Sequence, residues 1–432
     1  MAYTSLHDEW SELETEDKLR RFTELSHADA EEFFREIGAE DESELLLAMS
    51  PRDQQVWIRV LDPDDAADVV QEMDEEERPK FLELLKEPAR AEVTALLAYA
   101  EDVAGGLMNP RYSRVRPDMT VGEALAYVRK QALEHVETIY FVYVIDPQNH
   151  LLGIVSLRKL ISKPGDAKIS DVMRTNVITV TEETDQEELS QLFAEHNLLA
   201  IPVVDEQGLM KGIVTIDDIV DVVEEEATED IQKMGGSEAL GSPYVKIALS
   251  QMIKKRVGWL VILFLGELLT ANAMGYFEHE ISRAVVLTLF LPLIISSGGN
   301  AGSQASTLVV RAMALGELRL RDWWRVMQRE LIVGTAMGLI LGVLGLLRVV
   351  LWEQAFHTYG QHAVLIGLTV GSSVVGIVLW GGVAGSILPF ILKRVGFDPA
   401  SASTPFVATL VDVTGVVIYF GLASWILRGT LL

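Results

Sequence analysis

Two carboxylates stand inside apolar stretches of this 432-residue chain with no basic residue at similar depth. Glu267 lies in VGWLVILFLGELLTANAMGYF and Asp412 in PFVATLVDVTGVVIYF. An ionised carboxylate is costly in hydrocarbon, so such residues face a polar interior and mark ion routes. Either these two are protonated or a mobile cation balances them. Asp412 reads as a transport residue. Glu267 fits an ion route and a protonated structural carboxyl equally well. A second group of acids, from Asp217 to Asp230, crowds DDIVDVVEEEATED, where positions 218, 221, 225 and 229 share one helical face. Like charges at that spacing disfavour a helix by about 0.2–0.5 kcal/mol per pair, so their density points to a bound ligand or to a solvated face. Oxygen-only donor sets suit hard cations such as Mg²⁺ or Ca²⁺. Asp64 and Asp68, four residues apart, form a smaller pair of the same kind.

Other chemistries find little support. Cysteine is absent, which removes disulfides and thiolate metal sites. Neither H-E-x-x-H nor a Walker A sequence occurs, and the histidines after residue 253 are His279, His357 and His362, between apolar segments. A membrane enzyme, such as an intramembrane metalloprotease, is therefore the weaker alternative to a transporter, and a magnesium sensor without transport is a third. The net charge of −27 is unevenly placed: the first 253 residues hold 23 basic and 54 acidic side chains, the remainder 13 and 9. A strongly acidic half excludes nucleic acid as a partner and favours soluble cations.

The elements that must position these groups fall into two halves. Five apolar segments follow Arg256, each long enough to cross a ~30 Å hydrocarbon layer: 257–277, 284–310, 331–352, 363–392 and 401–427. Lys254, Lys255 and Arg256, then Arg319, Arg321, Arg325 and Arg329, then Lys393 and Arg394 fall in alternate loops. By the positive-inside rule the N-terminal half is cytoplasmic and the C-terminus outside. The second and fourth segments are dense in small residues that allow close helix approach. In the second, SSGGNAGSQAS strings polar groups along mid-membrane backbone, which is costly unless they face a partner or water.

Before the membrane segments, VITVTEETDQEELSQLFAEHNLLAIPVVDEQGLMKGIVTIDDIVDVV predicts strand, helix, strand, turn, strand and helix. The preceding stretch repeats it, with GIVS at Gly153 matching GIVT at Gly212 and LMNP at Leu107 matching VMRT at Val172. This pair resembles tandem CBS domains. That resemblance implies that Thr215 and Asp218 hold a nucleotide ribose, whereas Lys159 stands where the first copy would need Asp. Residues 1–105 read as helix-rich, with Ser50 and Asp62 as N-caps before Pro51 and Pro63.

The order of parts resembles the MgtE family of magnesium transporters and channels, on the motifs EDVAGGLMNP (101–110), EEEATEDI (224–231), GGNAGSQASTLVVRA (298–312) and PFVATLVDVTGVVIYF (405–420). The fold class this implies is a multidomain membrane protein. It comprises an all-α superhelical N-terminal domain at 1–105, α/β tandem CBS domains at 106–170 and 171–230, a connecting helix at 231–256, and an α-helical domain of five spans at 257–432. The resemblance further implies a homodimer in the cell (inner) membrane, a pore on its two-fold axis, and Mg²⁺ held by Asp412 with backbone near Gly299 and Ala408. Asn300, Ser303, Thr404 and Glu267 are candidate pore-lining residues. The implied cytoplasmic Mg²⁺ ligands are Asp64, Asp68, Asp185, Glu187, Asp218, Asp221, Glu226, Glu229 and Asp230, and the implied nucleotide is ATP or another adenine nucleotide. Ser303 and Thr404 stand where relatives carry Asn. Selection among Mg²⁺, Co²⁺, Mn²⁺ and Ca²⁺ stays open at this stage, because oxygen ligands discriminate weakly among hard ions.

Overall fold

The computed structural model describes residues 6–7, 9–10, 13–132, 136, 138–241, 244–245 and 247–432. Parts of the expected N-terminal domain (1–5, 8, 11 and 12) and of the expected connecting helix (242, 243 and 246) lie outside the described residues. The chain divides into two compact units, Met1–Val223 and Glu224–Leu432.

The first unit opens with short helices: α1 (Thr15–Thr23), α2 (His27–Glu36), α3 (Ala39–Ala48), α4 (Pro51–Trp57), α5 (Pro63–Gln71), α6 (Arg78–Leu82), α7 (Ala89–Leu96) and α8 (Ala104–Leu107). Their starts are written in the sequence. Ser26 and Ser50 each accept a hydrogen bond from the backbone N–H three residues on, satisfying an orphan donor of the first turn. Asp62 departs from the sequence expectation. It sits at the N-cap position, but its side chain makes no capping bond and reaches Arg35 (3.5 Å) and Arg111 (3.8 Å) instead. Two cations outbid a neutral N–H for a carboxylate. The apolar stripes converge on Phe22, Phe33, Phe34, Leu45, Leu46, Val69 and Val70, all at most 1% exposed.

Two three-stranded sheets follow. The first repeat contains β1 (Arg114–Val115), α9 (Val121–Gln131), β2 (Phe141–Ile145), β3 (Leu151–Ser156), α10 (Leu157–Ser162) and α11 (Ile169–Val172). The second contains β4 (Val180–Thr181), α12 (Gln186–His196), β5 (Ala200–Val204), β6 (Met210–Thr215) and α13 (Ile216–Met234). Each sheet pairs its first strand parallel and its third antiparallel to the middle one, with the same irregularity at Val144/Ile145 and Val203/Val204. Gly153 and Gly212 occupy the same register, opposite Val144 and Val203. The repeats are exchanged at their leading edges. Asn109 of the first leader bridges Ile213 on the second sheet, and Arg174 of the second leader bridges Ile154 on the first. Both glycines are needed there: a methyl at Gly153 would sit 2.7 Å from the Arg174 carbonyl oxygen, and one at Gly212 would sit 2.8 Å from that of Asn109.

In the second unit, the stretch expected to be one connecting helix is interrupted: among the described residues, 235–241, 244–245 and 247–248 are not helical. Helix α13 stops at Met234 and α14 (Leu249–Tyr276) starts fifteen residues later. Gly236 (φ +79°) and Gly241 (φ +67°) take left-handed backbone that interrupts a helix. After the short α15 (Glu278–Arg283) come α16 (Leu291–Ala314), α17 (Trp323–Phe356), α18 (Ala363–Arg394) and α19 (Thr404–Ile426). Five helices, α14 and α16 to α19, are long and apolar enough to cross a membrane. Contacts between them fix their relative directions. Trp259, Gly266 and Phe277 of α14 meet Ser403, Thr409 and Phe420 of α19, so these two run parallel. Gly299, Ser303 and Ser306 of α16 meet Ala408, Thr404 and Ala402, so α16 runs against α19. An alternating path through five spans requires this pattern.

Candidate functional site

The membrane site is built where α16 crosses α18 and α19. Gly298 and Gly302 let α16 touch α18 backbone to backbone: a methyl at Gly381 would lie 2.3 Å from the Gly298 carbonyl oxygen, and one at Gly385 would lie 2.1 Å from that of Gly302. With α16 pinned from behind, Gly299 turns toward α19. A methyl there would stand 3.4 Å from Ala408 Cβ and 4.0 Å from Asp412 Oδ1. Gly299, Ala408 and Asp412 thus come together, from positions more than a hundred residues apart. Toward the N-terminus of α19, Ser303 Oγ donates to the Thr404 carbonyl (3.4 Å), and Ser306 Oγ to that of Ala402 (2.8 Å). Asn300, one residue past Gly299, is exposed, and its amide donates to Ser296 Oγ on the same helix (3.4 Å). Glu267 approaches Asp412 from the side of α14, close enough for the two carboxyl groups to interact. Asp412 is half-buried and Glu267 exposed. Neither α14 beyond Arg256 nor α19 carries a basic residue.

In the first unit, Asp64 is 6% exposed and its Oδ1 accepts from the amide of Asn109, which is fully buried in the exchanged leader (3.0 Å). Two residues on, Arg111 clasps Glu92 (2.8 Å). Asp68 is placed close enough to Asp65, Asp218, Glu101 and Glu72 to feel all four: burial and then this repulsion push its carboxyl up to about 8. Asp218 accepts from the Thr215 N–H (3.1 Å) and hydroxyl (2.9 Å), a local cap at the start of α13. Burial nonetheless pushes it up to about 7, against those two hydrogen bonds. Glu42, absent from the sequence reading, is 4% exposed, and burial followed by repulsion from Asp65 and Asp68 pushes it up to about 9 while Arg35 opposes. Carboxyls displaced in this direction ask for a proton or a cation. Asp185 caps α12 through the Glu187 N–H (2.9 Å), and Glu187 accepts from Gln191 (3.2 Å).

In the second unit, Glu226, Glu229 and Asp230 follow one another on the last turns of α13. Glu229 pairs with Lys233, which also grips Asp398 at 2.6 Å. Burial works against the charge on Lys233, but its hydrogen bonds to Asp398 and Glu229 outweigh this and raise its pKa. Lys233 and Asp398 are further residues that sequence reasoning missed. Asp398 was legible only as the residue before Pro399, where its carboxylate accepts from Ala400 N–H at 2.8 Å. Among the described residues, no three carboxylate or imidazole groups are arranged to hold a bare metal ion.

Against known proteins, residues 291–422 match the family model described as a divalent cation transporter, MgtE. Residues 1–102 match the MgtE intracellular N domain, and 100–165 and 169–225 each match the CBS domain. The chain is 42% identical over 346 residues to "Magnesium transporter MgtE" of Thermus thermophilus, covering 80% of this chain and 75% of that protein. It is 36% identical over 340 residues to the protein of the same name from Enterococcus faecalis, covering 78% and 72%. Among solved structures it is similar to the cytosolic domain of the Mg²⁺ channel MgtE in complex with ATP, at 38% identity and a TM-score of 0.48, over 51% of this chain and 90% of that one.

Proposed function

Because the chain belongs to the MgtE family of magnesium transporters, we propose that it admits Mg²⁺ down its electrochemical gradient through a pore at Asp412, and that cytoplasmic Mg²⁺ closes that pore. It is a multi-pass membrane transporter of Mg²⁺ and not an enzyme. The observation that carries the pore assignment is the Asp412 carboxylate standing beside Gly299 and Ala408 at a helix crossing where α14 and α19 supply no basic counter-charge. Mg²⁺ dehydrates reluctantly and keeps several waters. A carboxylate flanked by a glycine and an alanine leaves room for the water shell and attracts the ion through it. An inside-negative potential favours entry by ~2.3 kcal/mol per charge per 100 mV, twice that for a divalent ion. No energy-coupling machinery is then required. Ser303 and Thr404 extend the polar lining on the cytoplasmic side.

The active form is a homodimer with one Asp412 from each subunit. Exposed Ile216, Val220 and Val223 fall at i, i+4 and i+7 on α13, and this unpartnered apolar stripe supports pairing through the second repeat. The N-terminal half lies in the cytoplasm and the C-terminus outside, on the strength of the basic loops before α14, between α16 and α17, and after α18. Closure rests on the acidic groups of the first unit. Glu42, Asp68 and Asp218 are held against their own repulsion, and Mg²⁺ relieves that repulsion. When Mg²⁺ falls, the helical and CBS regions separate and the pore opens. Thr215 and Asp218 form a ready cap that a nucleotide ribose would share, so an adenine nucleotide at the second repeat competes with or reinforces the same carboxylate.

The test is Mg²⁺ entry into liposomes containing the intact protein or Asp412→Ala. Entry is expected to be lost in the variant. Unchanged entry overturns the pore assignment. Equal proteolytic cleavage of the first unit with and without millimolar Mg²⁺ would overturn the closure mechanism.

A further inference from the structure

We infer that Glu267 is a second charged residue of the ion route, set beside Asp412 so that the route discriminates for divalent ions. The inference rests on the pore reading above and deepens it. It begins with the packing of α14 along α19. The two helices run parallel and stay in register over four points of contact. Trp259 Nε1 donates to Ser403 Oγ at 3.0 Å, and the Trp259 ring stacks on Phe406 at 6.0 Å. Next, a methyl at Gly266 would fall 2.5 Å from Thr409 Cγ2, so the backbones close up at that level. Beyond it, Phe277 stacks on Phe420 at 5.4 Å.

Glu267 immediately follows the glycine of closest approach, and Asp412 lies three residues, just under one turn, beyond Thr409. Parallel packing about that point, where a methyl at Gly266 would fall 2.5 Å from Thr409 Cγ2, brings the two carboxyls close enough to interact. Two carboxylates held this close repel each other unless a cation or a proton offsets their charge. No lysine, arginine or histidine on either helix stands at that depth. Glu267 is exposed on the surface of the unit rather than locked into its core, so an ion reaching Asp412 meets it as well. In the homodimer the two Asp412 carboxylates alone equal the charge of a divalent ion. A Glu267 beside each adds two more, which strengthens the pull on a hydrated divalent ion more than on Na⁺, because the attraction scales with the ion's charge. Glu267 touches the ion's water shell and Asp412, and is therefore a specificity-determining residue.

The experiment uses the intact protein in liposomes, with a Mg²⁺-sensitive dye inside and external Mg²⁺ varied against constant Na⁺. E267Q keeps the size and the hydrogen bond of the side chain and removes its charge. Losing one of two charges near a divalent ion is expected to raise the half-saturating Mg²⁺ about tenfold and to lower the Mg²⁺-over-Na⁺ preference. E267D keeps the charge and stays near wild type. D412N separates the two readings. If D412N loses entry while E267Q keeps both wild-type half-saturation and wild-type selectivity, Glu267 is only a structural hydrogen-bond partner and the inference is overturned. If E267D is as impaired as E267Q, charge is not the determinant, and the inference is again overturned. If D412N itself conducts normally, the failure lies with the pore assignment. Should E267Q not assemble, E267A is the neutral variant, with the same shift expected.

Discussion

Gly385→Ala places a methyl carbon 2.1 Å from the carbonyl oxygen of Gly302. The closest comfortable C···O approach is about 3.3 Å, so α16 and α18 must part by about 1.2 Å. The clash is with backbone, and both helices are clamped a turn away by the Gly298–Gly381 contact, which leaves no flexible side chain to give way. Overpacking of a rigid core costs about 1–3 kcal/mol, and this site belongs at the upper end. Replacing a helical glycine by alanine returns up to about 1 kcal/mol through helix propensity. The net loss of about 2 kcal/mol lowers the melting midpoint by about 4–8 °C for a unit of this size. Gly421→Ala is the control: nothing lies within 4 Å of its methyl, and the midpoint should hold or rise. Thermal unfolding of the purified protein in detergent, followed by tryptophan fluorescence, reads both. Because Gly299 faces Asp412 from the same helix, G385A should also depress Mg²⁺ flux. Equal midpoints for G385A and G421A would refute the backbone-contact argument.

Three further outcomes follow from the first unit and the end of α13. Asn109→Ala removes the amide that serves buried Asp64 and should lower the midpoint by about 2–3 kcal/mol equivalent, with Mg²⁺ restoring part of the loss; a calorimetric scan with and without Mg²⁺ checks it. The carboxyls of Glu42, Asp68 and Asp218 are raised to about 9, 8 and 7, above the usual carboxylate range. The folded form therefore binds more protons than the unfolded one, and stability should fall as pH rises through about 4 to 9. Mg²⁺ competes with those protons, so Mg²⁺-induced stabilisation should be larger at pH 8.5 than at pH 6; a pH-independent Mg²⁺ effect contradicts the repulsion account. Lys233→Met strips Glu229 and Asp398 of their shared cation and should increase the Mg²⁺ dependence of flux, whereas an unchanged dependence would mean that the ion pair is inert.

All five spans were legible because hydropathy over twenty residues is a local property, although α17 extends beyond the expected 331–352 at both ends. Asp412 stood out for the same reason: an uncompensated charge in an apolar run needs no knowledge of neighbours. Its companions were different. Gly299 and Ala408 became visible through a family resemblance, since which glycine of a small-residue stripe faces a carboxylate depends on how α16 is rotated against α18. Glu42 went unnoticed, because nothing local distinguishes a buried glutamate from a solvated one. Lys233 and Asp398 lie 165 residues apart. The break in the expected connecting helix was signalled by Gly235-Gly236 and by Gly241, turn punctuation that an expectation taken from the family resemblance passed over.

The exchange of leading segments between the two repeats sets the smallest portable piece of this protein. Cutting between residues 165 and 169 would strip the first sheet of the Arg174 strand bridge and leave the second with a displaced Asn109, so neither half is a self-sufficient module. The same cross-stitching makes the pair turn as one piece. Asn109 is the stitch: its side-chain amide serves Asp64 of the helical region while its backbone is bridged to Ile213 of the second sheet.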